Sequence, residues 1–98
     1  MLAYRRTWCI KLGCMEEALA LIQQAVDSFK ERGAIGRAYS PNISPVDIIV
    51  WEENWESVEA RDQFWAGLDD VPELAEWFQN WFKVVERGGT QEIWNLRV

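Results

Sequence analysis

Arginines near the start of the chain and a short acidic run in its middle are the residues that could do chemistry. Arg5 and Arg6 are adjacent, and Glu52, Glu53 and Asn54 follow one another. A guanidinium group can bind a carboxylate through two parallel hydrogen bonds. If the two stretches lie on neighbouring strands, we expect ion pairs between them.

Two interpretations of these charged residues remain open, and both of them also include Arg37. In the favoured one, Arg5, Arg6 and Arg37 form an ion-pair network with the two glutamates at an interface between subunits. In the other, one arginine stays unpaired and anchors an acidic or carbonyl-bearing ligand. Arg6 is therefore a candidate for binding a ligand.

Aromatic side chains surround the acidic run. Trp51 and Trp55 have Asn54 between them, and an amide beside aromatic rings can position an oxygen-bearing aromatic compound. Other aromatic residues on the strands could line the same space, although packing in the core also explains them. The candidate ligand-binding residues are Tyr4, Arg6, Trp8, Tyr39, Trp51, Asn54 and Trp55.

Composition argues against several kinds of function. The chain of 98 residues has no histidine, which is the commonest general base and metal ligand. Cys9 and Cys14 cannot form a zinc site by themselves, so we expect no metal and no cofactor. A net charge of −6 leaves no basic face for nucleic acid.

Location and thiol state follow from what the sequence lacks. No apolar run approaches the roughly 20 residues of a membrane helix, and the start of the chain lacks the apolar core of a secretory signal. We therefore expect a cytoplasmic protein with no membrane contact and with reduced cysteines.

Seven Trp, four Phe and two Tyr are many rings for one small core. Some of them are expected to contact a second copy of the chain or a small apolar ligand.

The elements that position these residues follow from hydrophobic spacing. Residues 46–56 (VDIIVWEENWE) are β-branched and aromatic at their start, which predicts a central strand. Residues 2–11 alternate as a strand does, and residues 34–39 predict a weaker edge strand. Between them, residues 15–32 have the spacing of an amphipathic helix, closed by Gly33.

The second half of the chain predicts one longer, broken helix. Ser57 is a good N-cap, and Arg61 lies among the apolar residues of the buried side. Asp70 followed by Pro72 predicts a fresh helix start with Asp70 as its N-cap. Residues 87–89 are predicted to end that helix, and residues 91–98 to form the last strand.

The order β-α-β-β-α-β is that of the ferredoxin-like α+β fold. Right-handed crossovers place the first and third strands in the middle of a four-stranded antiparallel sheet, with two helices on one face. The other face is left uncovered. We predict a single domain over residues 1–98.

Three segments resemble a known family: RRTWCIKLGCMEEALALIQQA, FWAGLDDVPELAEWFQNWFKVV and GGTQEIWNL. They are similar to NIPSNAP-like members of the dimeric α/β-barrel superfamily. This resemblance implies a homodimer in which two open sheet faces close into a barrel.

The same resemblance implies two possible functions. The favoured one is a small binding or assembly module without catalysis. The alternative is a cofactor-independent monooxygenase or isomerase acting on a small apolar or aromatic compound. Haem-dependent relatives are disfavoured because no histidine is available as an axial ligand.

Overall fold

The computed structural model describes residues 1–98 and contains four strands and three helices. Their bounds are β1 (Leu2–Ile10), α1 (Met15–Glu31), β2 (Ile35–Tyr39), β3 (Ile48–Trp55), α2 (Val58–Ala66), α3 (Pro72–Val84) and β4 (Val85–Asn95). The strands form one antiparallel sheet in the order β2-β3-β1-β4. The predicted ferredoxin-like α+β fold is confirmed, with β1 and β3 in the middle of the sheet.

The predicted broken helix is two separate helices. Ser57 caps α2 as expected, because its Oγ accepts a hydrogen bond from the backbone N–H of Ala60 at 3.1 Å. The predicted cap of the next helix is wrong: Val71, not Asp70, is the N-cap of α3, and no side chain caps it. A residue before proline is pushed into an extended conformation, and Val71 has φ −92° and ψ 108° immediately before Pro72.

The last strand begins earlier than the sequence predicts. Residues 87–89 are predicted to end the helix, but α3 ends at Val84 and these residues lie within β4. Pairing between β4 and β1 shifts register between Thr7 and Cys9, and Gly88 and Gly89 have φ of +111° and +86°. Glycine in a strand commonly marks such a bulge, because it adopts positive φ without steric cost.

Gly89→Ala is expected to lower the free energy of unfolding by about 1–3 kcal/mol. A Cβ atom at this position would collide with the carbonyl oxygen of Thr7, in addition to the strain of a positive φ. Urea denaturation measures the loss. Gly13→Ala is the matched control, since Gly13 has φ +82° but a Cβ there meets nothing within 4 Å. Equal losses in the two variants would show that the close approach to β1 has no energetic effect.

Side chains on the central strands alternate between two faces of the sheet. The helix face carries Tyr4, Arg6, Trp8, Ile49, Trp51, Glu53 and Trp55, and the open face carries Arg5, Arg37, Tyr39, Glu52 and Asn54. The apolar core lies between the helix face and the three helices, where Phe29 of α1 meets Trp51 edge to face at 5.1 Å. None of the three helices is long and apolar enough to cross a lipid bilayer.

Candidate functional site

The carboxylate of Glu53 is buried at the centre of the helix face, with 1% of the residue exposed. Its Oε2 accepts a hydrogen bond from Trp51 Nε1 at 2.7 Å. Its Oε1 accepts from Trp55 Nε1 at 2.8 Å, Arg61 Nε at 2.9 Å and Trp65 Nε1 at 3.3 Å. A buried carboxylate without such partners is strongly unfavourable. These five residues, the Glu53 cluster, therefore join β3 to α2.

Arg61 also connects α2 to β1. Its guanidinium carbon lies 3.8 Å from the centroid of the Tyr4 ring and 5.8 Å from that of Trp65. Because the positive charge faces both aromatic rings and a carboxylate, it is stabilised on several sides. Arg61 therefore neutralises Glu53 in the interior.

Arg6 has no carboxylate partner. The three ion pairs of the chain use Arg5, Arg37 and Arg61. The guanidinium carbon of Arg6 lies 4.1 Å from the centroid of Trp8, and its buried Nε has no hydrogen-bond partner in the protein. Arg6 is thus a partly buried cation held against an aromatic ring.

A cavity of about 820 Å³ lies between the helix face and the three helices. Tyr4, Arg6 and Trp8 of β1, with Trp51 and Glu53 of β3, are among the residues that line it. Its size falls within the range of about 300–1,000 Å³ typical of small-molecule sites, which are mostly apolar with a few polar groups. The cavity can therefore accept a small organic compound.

Aromatic rings of α3 form one wall of the cavity. Trp77 and Trp81 are stacked with centroids 5.3 Å apart and an interplanar angle of 18°. Trp81 meets Trp8 edge to face at 5.6 Å, and Trp77 Nε1 donates a hydrogen bond to the Leu21 carbonyl at 2.8 Å. The Nε1 of Trp81 is buried without a partner. This wall is aromatic, and the hydrogen bond of Trp77 fixes it to α1.

The open face holds a separate ion-pair network around Glu52. Arg5 Nη2 donates to Glu52 Oε2 at 2.7 Å, and Arg37 Nη1 and the Tyr39 hydroxyl donate to Oε1 at 3.4 and 3.3 Å. The hydrogen bond from Arg5 to Glu52 raises the pKa of Arg5. The predicted pairing is confirmed for Arg5 and Arg37 with Glu52. It is wrong for Arg6 and for Glu53, because both lie on the opposite face.

The structure brings five of the seven candidate residues to one side of the sheet. Tyr4, Arg6, Trp8 and Trp51 line the cavity, and Trp55 binds Glu53 beside them. The other two candidates, Tyr39 and Asn54, lie on the open face. Asn54 is therefore not grouped with Trp51 and Trp55, since neighbouring residues of a strand point to opposite sides. A role in binding a ligand stays a prediction for all seven.

Sequence reasoning missed several residues of the site. Trp65, Trp77 and Trp81 line the cavity, and Arg61 is the partly buried partner of Glu53, the one member of this group that the sequence analysis names as a candidate for chemistry. One signal was available: Arg61 lies among apolar residues on the inner side of its helix, where a charge needs a partner. The partner could not be chosen without the position of α2 over the sheet.

Comparison with known proteins shows which solved structures share this fold. No model of a known protein family matches the chain, and no curated protein matches it either. Among solved structures, an uncharacterized NIPSNAP domain protein from Burkholderia xenovorans superposes with a TM-score of 0.83 and 16% identity, covering 99% of this chain and 95% of that one. The chain shares the fold of this NIPSNAP domain protein.

Two further structures share this fold. A NIPSNAP family protein from Agrobacterium tumefaciens gives a TM-score of 0.80 at 15% identity, covering 96% of this chain and 90% of that one. An antibiotic biosynthesis monooxygenase gives 0.75 at 15% identity, with 100% of both chains covered. The NIPSNAP-like resemblance predicted from three sequence segments is thus confirmed at the level of the fold.

Proposed function

We propose that this chain is a binding module that holds a small, largely aromatic compound between its sheet and helices. The observation that carries the proposal is the 820 Å³ cavity lined by tryptophan rings, with the unpaired Arg6 among its lining residues. Apolar walls provide affinity, and a few polar groups provide orientation. The NIPSNAP fold of the chain is compatible with such a small module.

The alternative of a cofactor-independent monooxygenase or isomerase draws its support from the fold shared with an antibiotic biosynthesis monooxygenase. A general base must offer a free lone pair within hydrogen-bond reach of its substrate. The most buried carboxylate of the cavity lining, that of Glu53, is 1% exposed and is enclosed by four hydrogen-bond donors, so a bound compound does not reach it. Binding therefore has more support than acid–base catalysis.

The proposed module is a homodimer joined through the open face. Ile35 of β2, Asn54 of β3, Ala3 of β1 and Trp94 of β4 form one row across all four strands. Ile35 is 49% exposed and Trp94 is 55% exposed at the two ends of this row. An antiparallel sheet face that displays such large apolar side chains is suited to an interface.

Native mass spectrometry of gently purified protein tests both parts. We expect the mass of two chains together with a retained small molecule. Calorimetry with naphthalene-2-carboxylate, 2-naphthamide and indole should then show binding of at least one compound. No retained mass and no binding of any of the three would contradict the binding module. A monomer would contradict the homodimer. Recovery of a chemically altered probe would show that the chain is an enzyme and not only a binding module.

A variant that fills the cavity provides the matched comparison. Ala25 of α1 lines the cavity, whereas Ala20 of the same helix is exposed to solvent. We expect Ala25→Phe to weaken probe binding at least about tenfold, because the ring occupies space that the probe needs. Ala20→Phe should leave the affinity unchanged. Equal affinities in the two variants would place the probe outside the cavity.

A further inference from the structure

The charged groups that line the cavity leave one positive charge in its interior. Glu53 and Arg61 neutralise each other at 2.9 Å, and Arg6 has no acidic group within ion-pair distance. The chain has 16 acidic residues, so the isolation of Arg6 does not reflect a shortage of carboxylates. The remaining charged lining residues, Glu31, Arg32, Glu73 and Glu76, are exposed to solvent. Solvent and salt screen their charges, whereas Arg6 is screened less.

Two residues that each have a buried hydrogen-bond donor without a partner contact the same ring. Arg6 Nε and Trp81 Nε1 are both buried and bind no acceptor of the protein. Trp8 contacts both residues: its ring centroid is 4.1 Å from the guanidinium carbon of Arg6 and 5.6 Å from the centroid of Trp81. Buried donors are nearly always satisfied in proteins, so each exception calls for an explanation. Neither atom is accessible to solvent, so a ligand in the cavity can reach Arg6 only through the other two nitrogens of its guanidinium.

We infer that the ligand of this cavity is an aromatic carboxylate whose carboxylate binds Arg6. The inference rests on the proposed function and specifies its ligand class. A planar guanidinium matches the two oxygens of a planar carboxylate, and its contact with Trp8 limits the orientations that it can adopt. The dianionic form of a phosphate would retain excess negative charge beside this single cation. Trp77, which is partly exposed and stacks on the buried ring of Trp81, offers an aromatic surface to the ring of a ligand.

Calorimetry with three matched probes tests the inference. Naphthalene-2-carboxylate has the ring and the charge, 2-naphthamide has the ring alone, and octanoate has the charge on a flexible chain. We expect the wild-type protein to bind the carboxylate at least about tenfold more tightly than either other probe. In Arg6→Gln this preference over the amide should disappear, while 2-naphthamide keeps its wild-type affinity.

Arg87→Gln is the matched control, since it removes the same charge from an exposed position of β4 outside the cavity lining. It should keep the full preference for naphthalene-2-carboxylate. Circular dichroism and thermal unfolding check that Arg6→Gln is folded, and Arg6→Lys, which keeps the charge, should recover part of the preference.

The outcomes separate this inference from the proposed function. Equal wild-type affinity for the naphthoate and the naphthamide would overturn the carboxylate while leaving a binding module. A preference for naphthoate that survives in Arg6→Gln would overturn the role of Arg6. Octanoate binding as tightly as naphthoate would overturn the aromatic ligand. Binding of none of the probes would count against the inference, and the retained mass in native spectrometry then decides whether the binding module stands.

Discussion

Glu53→Ala is expected to lower the free energy of unfolding by about 3–5 kcal/mol, the largest effect that we predict for a polar residue. The substitution leaves the guanidinium of Arg61, which is 26% exposed, without its carboxylate. It also removes the acceptor of the indole N–H groups of Trp51, Trp55 and Trp65. Each buried donor that loses its partner keeps its desolvation cost without the compensating bond. Urea denaturation followed by circular dichroism measures the change.

Two comparison variants separate charge from structure. Glu53→Gln keeps the shape of the side chain but carries an amide, so its loss should be smaller than that of the alanine variant. Glu56→Ala removes an exposed carboxylate just beyond the same strand and should change stability by no more than about 0.5 kcal/mol. If Glu53→Ala also stayed within that limit, the Glu53 cluster would have no stabilising role.

Trp51→Ala is expected to cost about 3–5 kcal/mol in the same measurement. Trp51 is 7% exposed, its ring meets Phe29 at 5.1 Å, and its Nε1 donates to Glu53. A further sign of tight fit is that a Cβ atom at Gly36 would overlap the indole. Removing the ring therefore leaves a void between the sheet and α1 and frees one oxygen of Glu53.

Trp51→Phe separates the two contributions, since it retains a ring but no donor. We expect it to lose about 1–3 kcal/mol, less than the alanine variant. Phe82→Ala serves as the control, because Phe82 is 60% exposed and its loss should stay below about 1 kcal/mol. A Trp51→Ala loss no larger than that of the control would contradict the assignment of β3 as the buried central strand.

The order of the elements and the layout of the sheet could be predicted from the sequence, for physical reasons. Amphipathic spacing in residues 15–32 and the β-branched start of β3 each specify one kind of element. Two β-α-β units with right-handed crossovers then leave few possible arrangements. The bulge in β4 could not be predicted in this way. Two glycines that follow an amphipathic pattern are typical of the end of a helix, and only the position of β1 shows that Gly88 and Gly89 belong to a strand.

The site was predictable only in part. That Asn54 and Trp51 lie on opposite sides follows from the alternation of the strand and could have been stated from numbering alone. The pairing of Glu53 with Arg61 depends on where α2 crosses the sheet, which no local pattern encodes. Arg5 and Arg6 are chemically identical neighbours, yet one pairs with Glu52 and the other faces the cavity. Deciding between them requires knowing which face the helices cover.

The convergence of four side chains on one carboxylate also has an evolutionary consequence. Substitutions of groups that share a partner are not additive, because the effect of each depends on which others remain. As long as Glu53 is present, replacing Trp55 or Trp65 by phenylalanine removes one of its donors. Once position 53 carries an apolar residue, the indole N–H groups have no acceptor there. Phenylalanine at positions 55 and 65 then no longer costs a hydrogen bond. Descendants of this chain should therefore keep or exchange these residues as a set, with the order of the substitutions deciding which of them are tolerated.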